Sequence, residues 1–448
     1  MKILFISLGC DKNLVDSEVM LGLLTKNGYT LTDDETQADV IVINTCCFIH
    51  DAKEESINTI LEMAQYKEQN LKALVVTGCL AERYKDEILK EIPEIDAVLG
   101  TTSYDSIVEA VNTALEENTG EHFEHYESID YLPDNSEVER VVTTGNHMAY
   151  LKIAEGCDKR CSYCIIPKIR GRFRSVPMQE LLNEAKRLAS EGVKELVLVA
   201  QETTLYGKDL TGEKQLPLLL HELCKIEGIE WIRLLYCYPE EITDELIKVI
   251  KTEEKVCNYI DMPIQHSENR ILQRMGRRTS REDLVAVIKK LRQEIPDITI
   301  RTTLITGFPG ESEEDHEGLM NFVEECKFDR LGVFTYSPEE DTLAATFEDQ
   351  IDEEVKEARR DELMSLQQEI SYEHTQQLVG KTIKVMVEGY LFEDDIYVGR
   401  SYMDAPKVDG CVFINSPEEL MTGDFVYVKI TQGREYDVIG EVDYEFTK

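Results

Sequence analysis

Six short apolar segments alternate with amphipathic helical segments between residues 149 and 334. The apolar segments are residues 149–154, 196–200, 229–236, 259–262, 298–305 and 331–334. Alternation of strand and helix predicts parallel strands, because each helix returns the chain to the starting edge of the sheet. Six such units predict an open (β/α)6 barrel with its chemistry at the carboxyl ends of the strands.

Three apolar runs precede this region, at residues 3–8, 40–43 and 74–76, with helical segments between them. Each run is followed within a few residues by a cysteine, namely Cys10, Cys46 and Cys79. In an open parallel sheet, the loops that leave the carboxyl ends of the strands line one crevice. The sequence therefore predicts an N-terminal parallel-sheet α/β domain in which three distant thiols converge.

The last segment, residues 381–446, has short apolar runs broken by Gly and Asp, a pattern typical of a small antiparallel β-barrel. Residues 116–142 include Glu117, Asn118, Glu121 and few apolar residues in any regular period, which predicts a linker or an ornamented connection between domains. We therefore expect an N-terminal domain at 1–115, a linker at 116–142, a barrel core at 143–374 and a small β-barrel at 375–448.

Charge and cysteine content narrow the class of protein. The opening apolar run is too short for a signal peptide and no later stretch approaches a membrane span, so we expect a cytoplasmic protein that makes no membrane contact. Twelve cysteines in a reducing compartment favour metal or cluster ligation over disulfides. The formal net charge of −40 disfavours nucleic acid and favours a basic protein partner, although solubility alone also explains it.

Cys157, Cys161 and Cys164 lie on one loop after the first predicted barrel strand. Three thiolates on a cubane of four irons leave one iron free to bind an external chelate. The alternatives are a structural zinc site, which normally has a fourth Cys or His ligand, and three incidental cysteines.

This Cys-x3-Cys-x2-Cys loop, with the aromatic Tyr163 before the third cysteine, resembles the signature of the radical S-adenosylmethionine superfamily. The resemblance implies that the open iron of a [4Fe-4S] cluster binds S-adenosylmethionine and that reductive cleavage gives a 5'-deoxyadenosyl radical. It also implies a carboxylate for the methionine amino group, here Glu202. Arg301 is a candidate for the methionine carboxylate. Tyr163 is a further candidate for cofactor binding, as are Gly307 and Glu311 on the segment after the same strand. Ordinary solvation of Glu202 and a buried ion pair for Arg301 are the alternatives.

A dense basic segment, residues 168–174, follows the cysteine loop. It suits an acidic substrate side chain, an entry path or RNA, and a plain solvated surface is the remaining interpretation. His266 follows another predicted strand, and we assign it no catalytic role.

The three N-terminal cysteines repeat the three-thiol count, although buried small hydrophobes explain them equally well from spacing alone. The segments around them, residues 7–18, 44–46 and 77–80, resemble the N-terminal motifs of the methylthiotransferases, and the final β-barrel is similar to a TRAM domain. The resemblance implies a second [4Fe-4S] cluster, held by Cys10, Cys46 and Cys79, that carries the methylthio group. It also implies two molecules of S-adenosylmethionine and an electron donor such as a flavodoxin-like reductant.

Residues 9–18 and 200–207 resemble the branch that modifies an aspartate β-carbon in the twelfth protein of the small ribosomal subunit. Asp11 and Glu202 depart from the residues expected there, Pro and Asp, and Cys47 adds a thiol beside Cys46. Residues 375–448 carry 7 Lys and Arg against 14 Asp and Glu, a difference of −7, which suits a basic ribosomal protein better than tRNA. The alternatives are a tRNA adenosine methylthiotransferase and a non-catalytic iron-sulfur or zinc-binding docking protein.

Overall fold

The computed structural model describes residues 1–116 and 122–445, and its first unit is a six-stranded, entirely parallel sheet. Its strands are β1 (Lys2–Ser7), β2 (Thr30–Leu31), β3 (Val40–Thr45), β4 (Ala73–Gly78), β5 (Ala97–Leu99) and β6 (Phe123–His125), in the order β2-β1-β3-β4-β5-β6. Helices α1 (Asp11–Lys26), α2 (His50–Ala64), α3 (Cys79–Arg83), α4 (Ile88–Glu91) and α5 (Ile107–Ala114) cover the sheet. Every residue of β3 and β4 is buried, as expected for central strands with both faces covered. The predicted parallel-sheet domain is confirmed.

The segment expected to be a linker contributes to this sheet where the structure describes it. Within residues 116–142, the positions 117–121, which include Glu117, Asn118 and Glu121, lie outside the described residues. β6 pairs in parallel with β5, and the buried Arg140 forms an ion pair with Glu18 of α1 at 3.3 Å. This stretch therefore packs against the N-terminal sheet.

The central unit has six parallel strands in two halves. The first half contains β7 (Met148–Lys152), β10 (Glu195–Val199) and β11 (Trp231–Leu234), and the second contains β12 (Tyr259–Asp261), β13 (Thr299–Thr306) and β14 (Arg330–Thr335). A bridge between Ile232 and Val256 joins the halves, and within the described residues β7 and β14 do not pair, so the barrel is open. A short antiparallel pair, β8 (Ala154–Glu155) and β9 (Arg174–Ser175), follows β7. The six predicted strands are confirmed.

Helices surround these strands. They are α6 (Ile166–Ile169), α7 (Met178–Ser190), α8 (Lys208–Thr211), α9 (Leu216–Cys224), α10 (Asp244–Thr252), α11 (Asn269–Arg274), α12 (Arg281–Glu294), α13 (Glu313–Cys326) and α14 (Glu353–Leu378). Single 3-10 turns occur at Glu35–Gln37, Gln65–Glu68, Tyr104–Ser106, Pro239–Glu241 and Ala344–Thr346. Ser280 and Ser312 begin α12 and α13 with capping boxes that satisfy the first free amides of each helix. None of the described helices combines the length and apolar character that a membrane span needs.

The C-terminal unit is a closed five-stranded barrel, so the predicted small β-barrel is confirmed, but one of its strand pairings is parallel rather than antiparallel. Its strands are β15 (Thr382–Leu391), β16 (Ile396–Ser401), β17 (Val412–Asn415), β18 (Phe425–Gly433) and β19 (Val438–Val442), in the order β15-β16-β17-β19-β18. Arg400 of β16 reaches the central unit and binds Glu195 at 2.6 Å, and Arg233 binds the same carboxylate at 2.8 Å. All three side chains are buried. Burial acts to raise the pKa of Glu195, but the two guanidinium groups lower it to about 2.

Candidate functional site

The cysteine loop at residues 156–164 follows β8, and the backbone amides of its first two residues are held by hydrogen bonds. Gly156 has φ +77°, and a side-chain Cβ there would overlap the carbonyl oxygen of Arg172. The Gly156 amide donates to Gln201 Oε1 at 2.8 Å, and the Cys157 amide donates to the Gly171 carbonyl at 3.1 Å. Only glycine fits this turn without strain. The loop is therefore fixed before any ligand binds.

Cys157, Cys161 and Cys164 lie on this loop, near enough to one another that Cys161 influences the pKa of both Cys157 and Cys164. Cys157 and Cys161 are buried and Cys164 is half-buried. Burial raises the pKa of Cys157 to about 12 and raises that of Cys164 further. Among residues 1–116 and 122–445, no three His, Cys, Asp or Glu side chains are grouped to bind one metal ion. A cubane places each thiolate on a different iron, so three thiols that are not grouped around one metal ion are compatible with a cluster.

Glu202 follows β10 and is fully buried. Its Oε1 accepts a hydrogen bond from the Thr204 hydroxyl, while Oε2 has no hydrogen-bond partner among the described residues and lies 3.9 Å from Lys159 Nζ. Burial raises the pKa of Glu202 to about 8. A buried carboxylate with one free oxygen requires a donor, and the amino group of a ligand would supply it.

Arg277 is a residue that the sequence analysis did not identify. It is buried, its Nε and Nη1 have no hydrogen-bond partner within the part of the chain that the structure describes, and its guanidinium lies 4.4 Å from the Tyr238 ring centroid. With Cys161 and Lys159 it lines a cavity of about 260 Å³. A guanidinium fork with free donors is suited to a carboxylate. The residue lies in an irregular turn after α11, where no periodic pattern reveals it.

The other predicted cofactor residues are engaged within the protein. Arg301 forms ion pairs with Asp261 at 2.9 Å and with Asp409 of the C-terminal unit at 3.3 Å. Glu311 accepts from the Gly307 amide at 2.8 Å and binds Arg359 at 2.9 Å, so it fixes the turn after β13.

Tyr163 lies beside that turn. Its ring packs edge-on against Phe308, with the ring centroids 6.4 Å apart. Tyr163 immediately precedes Cys164, so this contact packs the end of the cysteine loop against the turn after β13.

The N-terminal cysteines end neighbouring strands, as predicted. Cys10 precedes α1 after β1, Cys46 follows β3 and Cys79 begins α3 after β4. Gly9, with φ +87°, sits so close to Cys46 that a Cβ would lie 2.9 Å from its sulfur. Glycine therefore allows the Cys10 loop to approach Cys46.

The neighbouring Cys47 has different surroundings from Cys46. Burial raises the pKa of both thiols, to about 12 for Cys47. Cys10 and Arg170 are among the charged neighbours of Cys46, whereas Arg83 is the main charged neighbour of Cys47. Cys47 also packs in the apolar core with Ile41. The sulfur of Cys46 is thus the one on the side of Cys10.

Comparisons with known proteins agree with this division of the chain. The model of the uncharacterized protein family UPF0004 matches residues 2–100, that of the radical SAM superfamily matches 151–323, and that of the TRAM domain matches 379–442. The ribosomal protein uS12 methylthiotransferase RimO of Lachnoclostridium phytofermentans is 62% identical over 444 residues, which are 99% of this chain and 100% of that protein. The chain belongs to the ribosomal protein uS12 methylthiotransferase family.

Other family members match over a similar length. The protein of the same name from Acetivibrio thermocellus is 51% identical over 100% of this chain and 99% of its own, and that from Clostridium perfringens is 52% identical over 100% and 99%. Among solved structures, the radical S-adenosylmethionine methyltransferase TsrM from Kitasatospora setae gives a TM-score of 0.55 at 14% identity, covering 85% of this chain and 78% of its own. That likeness concerns the fold alone. Family membership makes the chain a radical S-adenosylmethionine methylthiotransferase that uses S-adenosylmethionine and a [4Fe-4S] cluster.

Proposed function

We propose that this enzyme adds a methylthio group to the β-carbon of an aspartate in ribosomal protein uS12. The observation that carries the proposal is the full-length identity of 51–62% to proteins named for that substrate. Hydrogen abstraction by a carbon radical needs no general acid or general base.

We propose that Cys157, Cys161 and Cys164 hold the cluster that binds S-adenosylmethionine. A second [4Fe-4S] cluster would be held by a separate set of three thiols, Cys10, Cys46 and Cys79. The support is the position of both sets at strand carboxyl ends and the burial of four of the six thiols, with Cys164 half-buried and Cys10 exposed. When bound, the first cluster and S-adenosylmethionine would supply a carbon radical, and the second cluster would supply the methylthio group. The residues around them orient the ligands and exclude water.

Four further side chains would hold the cofactor in this proposal. Glu202, with its free oxygen, would accept a hydrogen bond from the methionine amino group, and Arg277 would bind the methionine carboxylate. Arg277 takes the role expected for Arg301, because Arg301 is already neutralised by two aspartates. Tyr163 and the turn fixed by Glu311 would form the wall of this pocket.

The acidic surface of the C-terminal barrel supports a basic protein rather than tRNA as the substrate. The hairpin between β15 and β16 presents Phe392, which is 87% exposed, beside the exposed carboxylates of Glu393, Asp394 and Asp395. An aromatic ring next to carboxylates suits Lys and Arg side chains and repels phosphates. We also propose that an external electron donor, such as a flavodoxin-like protein, reduces the enzyme and that the enzyme is cytoplasmic.

Parallel incubations test the proposed function. The reconstituted enzyme, S-adenosylmethionine and a reductant are incubated anaerobically with uS12 or with tRNA, and both products are analysed by mass spectrometry. We expect a methylthio adduct on one aspartate of uS12 and none on tRNA. Cys46→Ala should abolish the adduct, and Cys47→Ala, its neighbour in sequence, should retain it. Modification of tRNA alone would refute the assignment of the substrate.

A further inference from the structure

The basic segment at residues 168–174 contains one arginine that does not face solvent. Lys168 and Arg172 are exposed, whereas Arg170 is only 2% exposed. Ile169, at the end of α6, and Ile165, just before α6, are buried in the core of the N-terminal unit, and Thr101 donates a hydrogen bond to the Ile169 carbonyl at 2.7 Å. This segment of the central unit therefore carries the Arg170 guanidinium into the N-terminal unit.

Arg170 is the centre of a buried network of charges that spans the two units. Its guanidinium binds Asp16 of α1 at 2.8 Å and Glu155 of β8 at 3.0 Å. Lys152 of β7 binds the same two carboxylates. Two cations thus balance two anions in a region from which water is excluded. Removal of one member would leave an uncompensated buried charge.

The network reaches the N-terminal cysteines through Asn13. The Asn13 Oδ1 atom accepts a hydrogen bond from Arg170 and lies 3.9 Å from the sulfur of Cys79. The Asn13 amide nitrogen donates to the carbonyls of Leu8 and Thr45, which precede Cys10 and Cys46. One buried side chain therefore contacts all three cysteine-bearing segments.

The other end of the network reaches the second cysteine loop. Glu155 is two residues before Cys157, and its Oε1 accepts from the Gln201 side chain at 2.7 Å and from the Gly156 amide at 3.3 Å. Arg170 therefore stands between the two sets of cysteines and has a direct partner on each side.

We propose that Arg170 is a positioning residue that fixes the N-terminal thiols relative to the second cysteine loop and sets the electrostatic potential at the N-terminal cluster. This inference rests on the proposed N-terminal cluster. A rigid guanidinium fork suits simultaneous contact with Asn13, Asp16 and Glu155, which a lysine cannot reproduce. A fixed positive charge near a cluster stabilises its reduced form, because reduction adds negative charge.

The test measures the reduction potential of the N-terminal cluster in the full-length chain. Cys157, Cys161 and Cys164 are first changed to alanine, so that only the N-terminal cluster gives an electron paramagnetic resonance signal. Dithionite titrations then compare Arg170→Gln and Asp16→Asn in this background. Lys168→Gln, an exposed position on the same segment, serves as the matched control.

The two variants should move the potential in opposite directions. Arg170→Gln removes a positive charge, and we expect a roughly tenfold lower ratio of reduced to oxidised cluster at a given potential, about 59 mV more negative. Asp16→Asn removes a negative charge and should shift the potential to more positive values. Arg170→Lys keeps the charge but loses part of the contacts to Asn13, Asp16 and Glu155, so its shift should be smaller than that of Arg170→Gln. Lys168→Gln should not change it.

A purely structural role for Arg170 would change stability without these opposite shifts. Unchanged potentials in both Arg170→Gln and Asp16→Asn, with the iron content of the parent, would overturn the inference. Where Arg170→Gln fails to fold, a missing or negative shift in Asp16→Asn overturns it alone. A parent protein without iron at the N-terminal cysteines would instead refute the proposed second cluster.

Discussion

Replacement of Glu202 by Gln should weaken S-adenosylmethionine binding in a manner that depends on pH. Glu202 is buried, has one free oxygen and has a pKa raised to about 8 by burial. A hydrogen bond to a charged group contributes about 1.5–3 kcal/mol, so the full loss is roughly 10- to 150-fold in Kd. At about pH 7 Glu202 of the free enzyme is mostly protonated and must lose this proton before it accepts the hydrogen bond. Deprotonation costs about 1.4 kcal/mol of the binding free energy.

The loss caused by Glu202→Gln should therefore be about tenfold larger at about pH 8.5 than at about pH 7. Isothermal titration calorimetry of the reconstituted enzyme, without reductant, measures both values. Glu191→Gln is the control, because Glu191 lies at the C-terminal end of α7, where its exposed side chain is paired with Arg187 at 2.7 Å. It should change Kd by less than about fivefold. Equal affinity of Glu202→Gln and wild type at the higher pH would refute this role of Glu202.

Three further changes have defined outcomes. Glu195→Gln leaves Arg233 and Arg400 without their shared anion, so unfolding experiments should show a loss of about 3–5 kcal/mol. Since the pKa of Glu195 is lowered to about 2, its contribution to the free energy of unfolding is complete above the ordinary glutamate pKa and is lost as pH falls towards 2. A wild-type free energy of unfolding that does not fall over this pH range would contradict this. Gly156→Ala forces a Cβ onto the Arg172 carbonyl and should halve the iron content, whereas retention of all iron would show that the turn adapts. Reversal of the three charges at residues 393–395 to Lys should raise KM for uS12 at least about tenfold and leave the basal cleavage of S-adenosylmethionine unchanged; an unchanged KM would exclude this hairpin from docking.

The sequence alone predicted the elements that periodicity determines. Distinct apolar patterns mark the six central strands, the small barrel and the three N-terminal strands that precede the cysteines. All of these elements are present. β2 and β5 escaped prediction because they contain two and three residues, and β6 lies in a polar segment that pairs only at the sheet edge. Such short strands depend on a partner strand rather than on their own pattern.

Side-chain partners distant in sequence were harder to predict than the cysteines. Arg301 is neutralised partly by Asp409, which lies 108 positions later in another unit. The basic segment at residues 168–174 gave no indication that Arg170 is buried, because four-residue α6 is too short for an apolar period. The sequence analysis identified Glu202 at a strand end, but only the structure reveals its free oxygen.

The most direct test of the account is the iron content of two matched triple variants after anaerobic reconstitution. Wild type should bind about eight irons per chain, and the triple alanine variants of Cys10, Cys46 and Cys79 or of Cys157, Cys161 and Cys164 about four each. Only the first variant should still cleave S-adenosylmethionine, and neither should modify uS12. Retention of about eight irons, or of uS12 modification, by the first variant would contradict the claim that two separate sets of thiols hold two clusters.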